Sequence, residues 1–375
     1  MPYQKLLDHT KGMLRRLYLE PLPIHLLNTL SMMISGVFLG RNVQLHEIAA
    51  WVSTDILMSS LVRRFERFVA DPLVIPGKIF KPFVLAMQAC LGGETAYLII
   101  DCTQAGGKCR TVMVALAYHG TVLPIVWKTV RGSKGHVKGE IQKALMQEAY
   151  QLFRLHKHVV VLGDSEYSNE QLIQWLLDVK WDFVLRFQSS YLLQSSPNGE
   201  WQSTRSLYEA AQVSRGQLCV WEQVSYTQSH HFSDLTVTAQ WDEGETEMLC
   251  LVSNLSASLQ PNIIYEKRYW IETLFGNHKS RGFQLSRTHL TDPEHIDRLI
   301  LALAIATWMV LGFGTHLILI KQSHLIDRSN RRDLSLFQLG LRGIIRFLAL
   351  NRLKEVKIAF DWAMKLPKAG FQPAT

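Results

Sequence analysis

AYLIIDCTQAGGKCRTVMVALAYHGTVLPIVWKTV, residues 96–130, decides the fold class. It holds three β-rich runs, 96–101, 111–118 and 122–130, punctuated by Gly106-Gly107 and His119-Gly120, which predicts an antiparallel meander. Beyond it the period changes. EIQKALMQEAYQLFRL (140–155) has helical spacing, HVVVLGD (158–164) reads as a buried strand, NEQLIQWLLDV (169–179) as a helix and WDFVLRF (181–187) as another strand. Three strands, helix, strand, helix, strand is the order of a mixed α/β layer fold.

Upstream, residues 1–90 read as an all-helical domain. LHEIAAWV (45–52), the break Ser53-Thr54-Asp55 and LMSSLVRRFERFV (57–69) spell helix, turn, helix, with Ser53 or Thr54 as the cap of the second helix. Arg63, Arg64 and Arg67 stud that helix, as a DNA-facing helix requires, although a solvated basic face has the same pattern. Downstream, residues 91–189 form the first part of the core and 190–258 a β-rich insertion in which Leu235, Val237, Ala239 and Trp241 alternate with polar residues. Helix resumes at Pro261, so that 259–322 complete the core, and 323–375 form a basic helical tail. Residues 299–320 carry no formal charge between Arg298 and Lys321, a length that suits either a membrane span or a buried core helix. The chemistry upstream favours the core helix.

The chain has 375 residues, 47% of them hydrophobic and 19% charged, which excludes a disordered or fibrous protein. A formal charge of +8 points to a polyanionic partner. Five cysteines without a C-x-x-C pair argue against a disulfide framework or structural zinc, and for a reducing compartment. The N-terminal residues contain no apolar signal core, so secretion is not expected and a cytoplasmic protein is. No phosphate-binding P-loop, nucleophile elbow or H-E-x-x-H motif occurs.

Two aspartates occupy matching places. Asp101 follows Tyr97-Leu98-Ile99-Ile100, and Asp164 follows Val159-Val160-Val161-Leu162-Gly163. Each alone reads more readily as a turn cap; on neighbouring strands, the two like charges would call for a cation. In NIIYEKRYWIETLFGNHKSRGF (262–283), Tyr265, Arg268, Glu272 and Lys279 fall within roughly 60° of one another on a regular helix. A core helix would carry aliphatic residues there. A carboxylate flanked by cations suits a metal ion beside a phosphodiester. Between Asp101 and Glu140 there is no acid, whereas Lys108, Arg110, Lys128, Arg131, Lys134 and Lys138 are basic; a lysine-protected sheet edge explains only some of them.

The spacing Y-x2-R-x3-E-x6-K, downstream of Asp101 in DCTQ and Asp164 in GDSEY, resembles the DDE transposases of bacterial insertion sequences, closest to the insertion-sequence-four family, over roughly residues 96–320. The element order is also that of the ribonuclease H-like fold. The resemblance implies such a core and a metal-binding catalytic triad of Asp101, Asp164 and Glu272 that uses Mg²⁺, with Mn²⁺ as a substitute. It implies DNA contacts by Tyr265, Arg268 and Lys279, beside those expected of Lys108, Arg110, Arg63, Arg64 and Arg67. The implied activity is cleavage of transposon ends and joining of the 3′-hydroxyl to target DNA. Double-stranded DNA, both inverted-repeat ends and target, is the implied partner, bound by a homodimer at the nucleoid and not at a membrane.

Two features depart from the family pattern. Many relatives place Arg directly after the second Asp, where this chain has Ser165 and Glu166. Some insert a tryptophan from the β insertion into distorted DNA; residues 248–250 are Met-Leu-Cys, and Trp241 is a weak substitute, which leaves a hairpin intermediate open. Two rival readings remain at this point: a metal-dependent nuclease without strand transfer, and an inactive or domesticated relative that only binds DNA.

Overall fold

The computed structural model describes residues 2–132, 136–196, 199–329 and 331–366, so Lys134 of the basic stretch lies outside the described residues. Five helices come first: α1 (Pro2–Leu17), α2 (Ile24–Gly40), α3 (Leu45–Ala50), α4 (Met58–Ala70) and α5 (Pro76–Leu91). α2 is apolar on nearly every side and is buried accordingly. α4 buries Leu61, Phe65, Phe68 and Val69, which turns Arg63, Arg64 and Arg67 to solvent. Neither Ser53 nor Thr54 caps α4. The helix starts later than its apolar period, at a cap position occupied by Leu57, and Thr54 Oγ1 accepts instead from the Ile56 amide at 3.4 Å.

The meander follows as β1 (Ala96–Gly106), β2 (Cys109–Tyr118) and β3 (Thr121–Arg131), with antiparallel pairing that sets Asp101 opposite Met113. At the first turn Gly107 has φ 53°, and a Cβ there would lie 2.4 Å from the Leu290 carbonyl oxygen, so the hairpin tip needs glycine twice over. α6 (Gly139–Phe153) leads to β4 (Val159–Gly163), parallel to β1, and α7 (Glu170–Asp178) leads to β5 (Asp182–Phe187), parallel to β4.

The stretch expected as an insertion contributes β6 (Leu192–Gln194), β7 (Gln202–Ser203), α8 (Thr204–Ala210), β8 (Leu218–Tyr226), β9 (Phe232–Gln240) and β10 (Leu249–Ser253). It continues the core sheet: β10 pairs antiparallel with β5, Cys250 beside Phe187. The result is one mixed sheet of ten strands in the order β3-β2-β1-β4-β5-β10-β9-β8-β6-β7. This is a mixed α/β fold with a large sheet and many helices.

From Pro261 the chain does not form one regular helix. α9 (Pro261–Tyr265) tightens into a 3₁₀ turn at 266–269, α10 (Trp270–Gly276) follows, and residues 277–281 widen into a π turn. His278 in that turn is buried, its Nε2 2.9 Å from Thr307 Oγ1 on the next helix. That helix, α11 (Pro293–Leu319), starts at Pro293 behind an Asp292 cap that accepts from the Glu294 and His295 amides. It is long and apolar enough to cross a membrane, yet its 18-residue apolar window is wholly buried inside the fold.

α11 packs on α2, α4, α5, β3 and α12 (Leu336–Ala349), and at about 1.5–3 kcal/mol for each fully buried aliphatic side chain it dominates the core. Its polar end is fastened on two sides. Asp297 Oδ1 accepts from the Thr129 amide at 2.8 Å, and the Asp297 carbonyl accepts from Trp127 Nε1 at 3.0 Å. Arg298, 6% exposed, donates to the carbonyl of Val69 in the last turn of α4 (2.9 Å) and to that of Val74 in the connection to α5 (3.1 Å). Further on, Ala359 donates to the Gly312 carbonyl at 3.2 Å, so a late segment of the chain lies along α11.

Two outcomes are expected. A Cβ on Gly340 of α12 would sit 1.8 Å from the Val310 carbonyl oxygen, so Gly340→Ala should force α11 and α12 apart and lower the unfolding free energy in urea titrations by about 1–3 kcal/mol or more. Gly93→Ala, with nothing within 4 Å of its added Cβ, should stay within about 0.5 kcal/mol of the parent. The second outcome concerns acid. Burial pushes His278 from 6.5 down to about 4, so the unfolded chain takes up a proton in that window while the folded chain does not. Its contribution is full above pH 6.5 and is lost as the pH falls toward 4. His278→Gln should therefore flatten that part of the stability-against-pH curve in urea titrations.

Candidate active site

β1 and β4 lie side by side and parallel, with Ile100 beside Gly163. The next residue on each strand is an aspartate. β1 runs on to Gly106 through its pairing with β2, but its pairing with β4 stops at Ile100, so Asp101 and Asp164 emerge together where the two strands part. One oxygen of each is held by the backbone. Asp101 Oδ1 accepts from the Cys102 amide at 2.7 Å, and Asp164 Oδ1 accepts from the Glu166 amide at 2.9 Å. The other oxygen of each points to a common partner.

That partner is Arg268. Its Nη2 donates to Asp101 Oδ2 at 3.1 Å and to Asp164 Oδ2 at 3.3 Å, while Nη1 donates to Glu272 Oε1 at 2.7 Å. The tight 3₁₀ turn at 266–269 brings the guanidinium inward. α10 then presents Glu272 opposite its buried Ile271, Leu274 and Phe275, and Thr273 anchors the helix to β3 by donating to Thr121 Oγ1 at 3.0 Å. Three carboxylates from β1, the end of β4 and α10 thus meet on one cation. Burial pushes Asp101 up to about 6, with Arg268 and the Cys102 amide pulling it back and the Asp164 and Glu272 charges adding to the rise.

Among the described residues no three carboxylates, histidines or cysteines form a ready-made metal cage. The reason is visible in the contacts: the place between the carboxylates is taken by the guanidinium. The donor set itself is all carboxylate oxygen, the chemistry that suits Mg²⁺ or Mn²⁺ over zinc or copper.

The other expected site residues are dispersed. Tyr265 is 2% exposed and packs edge-on to Tyr269, so in this conformation it supports the turn from below. Lys279 lies within the π turn, which ends the regular helical face on which it was expected; among the described residues no ion pair joins it to the three carboxylates. Lys108 sits at the β1–β2 turn in the left-handed region (φ 57°), roughly 20 Å along the hairpin from Asp101 at strand rise. Arg110 lies just beyond that turn on β2. Lys128 is taken up by Glu294 (3.8 Å) and Asp297 (3.6 Å) and serves the α11 anchor. Arg63, Arg64 and Arg67 remain on the outer face of α4, where Arg64 also approaches Met32 Sδ at 3.8 Å.

Two residues that depart from the family pattern have visible partners. Glu166 accepts from the Val137 amide at 2.5 Å and lies 3.5 Å from His136 Nδ1, so it fastens the segment leading into α6. Trp241 has the Arg215 guanidinium 3.5 Å and that of Arg205 4.9 Å from its ring centre, and it donates to the Glu245 carbonyl at 3.0 Å. The weak substitute for an inserted tryptophan is therefore already engaged by two arginines. Sequence spacing missed Arg268 as the hub, because i to i+4 spacing registers its pairing with Glu272 and nothing of the strands it also reaches.

No curated protein sequence matches the chain. Among solved structures, a synaptic complex of piggyBac transposase with hairpin DNA, determined by cryo-electron microscopy, is similar at 12% identity and a TM-score of 0.46, covering 94% of this chain and 78% of that one. The family described as "Transposase DDE domain" matches residues 91–309, the span that carries β1, β4 and α10, and the chain belongs to that family.

Proposed function

We propose that the chain is an active transposase of the insertion-sequence-four type, with a ribonuclease H-like core built on β3-β2-β1-β4-β5. Its reaction is phosphoryl transfer: a water oxygen attacks phosphorus at the transposon end and releases a 3′-hydroxyl, which then attacks phosphorus of a target phosphodiester, forming a new P–O bond as the bond to the target's 3′-oxygen breaks and leaves a free target 3′-hydroxyl. The observation that carries this reading is the convergence of Asp101, Asp164 and Glu272 on a single cation. Mg²⁺, or Mn²⁺ in its place, would be held by those three carboxylates and would supply an activated oxygen nucleophile and a counter-charge for the leaving oxygen.

The protein's own groups supply position. Backbone amides of Cys102 and Glu166 fix the two aspartates in rotation, so their second oxygens stay aimed at the shared cation position. Arg268 and Lys279 carry the charge for phosphate oxygens, and buried Tyr265 keeps the turn that aims Arg268. Double-stranded DNA is the partner. The outer face of α4 reads or grips the ends, the basic β1–β2 hairpin supports a flank, and two copies pair the ends at the nucleoid in the cytoplasm.

Pre-nicked duplex ends incubated with target DNA and Mg²⁺ test the chemistry. Asp101→Asn, Asp164→Asn and Glu272→Gln should each lower strand transfer on the order of 10³-fold with duplex binding retained. Cutting without joining would select the nuclease reading, and full activity of all three variants would refute the triad. Arg63→Ala and Arg67→Ala should each reduce the slope of log affinity against log salt by about 0.9, as loss of one phosphate contact requires. An unchanged slope would remove α4 from the interface.

A further inference from the structure

We infer that Arg268 is the exchangeable counter-ion of the carboxylate cluster: it holds Asp101, Asp164 and Glu272 together in the DNA-free protein and leaves for a DNA phosphate when substrate arrives, so that divalent metal loads only with DNA. The inference rests on the triad reading above and adds to it an order of events and a coupling.

Occupancy is the first ground. On each aspartate the Oδ1 atom is committed to a backbone amide, and the remaining Oδ2 is the atom that Arg268 Nη2 contacts, at 3.1 Å and 3.3 Å. The oxygens a metal would need are those the guanidinium already uses. Two cations cannot share such a small space, because their repulsion inside a partly buried cluster is steep. Metal and inward Arg268 therefore exclude each other.

Release is the second ground. Arg268 is carried on a 3₁₀ turn of four residues between two α-helical pieces, and 3₁₀ hydrogen-bond geometry is poorer than that of an α-helix. In its inward pose the buried Nε has no hydrogen-bond partner, so one donor of the fork is unmet. A phosphodiester accepts a guanidinium fork through two parallel bonds, which repairs that deficit. The way out is open, since Glu272 and the neighbouring Tyr269 are both exposed. Linkage then makes the effect reciprocal: DNA that draws Arg268 outward strengthens metal binding by the same factor by which metal strengthens DNA binding.

Mn²⁺ binding to the full chain, read from the loss of the free aqueous Mn²⁺ resonance, tests this without any measurement of activity. Without DNA, Arg268→Ala should bind Mn²⁺ about tenfold or more tighter than the parent, with Arg268→Gln, the closer isostere, doing the same. A duplex bearing the element's end should strengthen Mn²⁺ binding to the parent by a similar factor and to the variants little. Mn²⁺ should also raise the melting temperature of both variants without DNA, and should leave that of the parent nearly unmoved; this reads the exchange even where Arg268→Ala folds poorly. Equal Mn²⁺ affinity in parent and variants, or an equal gain from DNA in all three, overturns the exchange. Adding Asp164→Asn to Arg268→Gln separates the two levels. Abolished Mn²⁺ binding keeps the metal in the triad whatever the fate of the exchange, whereas unchanged binding places the metal elsewhere and removes the triad reading itself.

Discussion

Two carboxylates at the ends of adjacent parallel strands cannot both stay ionised in a partly buried place without a positive charge between them. The pairing of Ile100 with Gly163 imposes that problem, because it delivers Asp101 and Asp164 to the same point. Much of the surrounding structure answers it. The segment after Pro261 bends through a 3₁₀ turn to bring in a guanidinium, α10 adds a third carboxylate that shares it, and amides at Cys102 and Glu166 stop the aspartates from rotating away. Rigidity of the sheet and mobility of one arginine are complementary properties: the first keeps the acids aimed, and the second lets the cation at their centre change.

The sheet holds its shape because α11 is packed behind it. A helix this apolar has few directional contacts of its own, so its register depends on the polar residues at its start. Asp297 ties it to Thr129 on β3, and Arg298 ties it to carbonyls in the last turn of α4 and in the connection that follows. A single turn of α11 therefore joins the N-terminal helices to β3, an edge of the sheet whose inner strands carry the two aspartates. The charge that flanks the apolar run in the sequence is a buried fastener in the fold.

Elements set by local pattern were legible in the sequence. The meander, both crossover helices and β4 and β5 follow the alternation and turn residues that announce them. What depends on contacts between distant segments was less so. The face shared by Tyr265, Arg268, Glu272 and Lys279 presumes a uniform 100° step; a 3₁₀ turn and a π turn break that step, burying Tyr265 and moving Lys279 off the line, while the Arg268–Glu272 spacing survives as an ion pair. Likewise the alternation at 235–241 revealed a strand and its faces, but its neighbour across the sheet is chosen by exposed edges, and that neighbour extends the core. Lys128 looked like part of a basic rim because nothing in its local sequence announces Glu294 and Asp297.

The burial of α11 has a consequence for biosynthesis. The helix is clasped by α4 from before it in the chain and by α12 and the segment around Ala359 from after it. While the ribosome has delivered residues to about 320 but not the next forty, a long greasy rod is without part of its cover, at the moment when chaperones and the membrane-insertion machinery sample nascent chains. Folding of this chain therefore requires that α11 be kept covered until its C-terminal partners emerge.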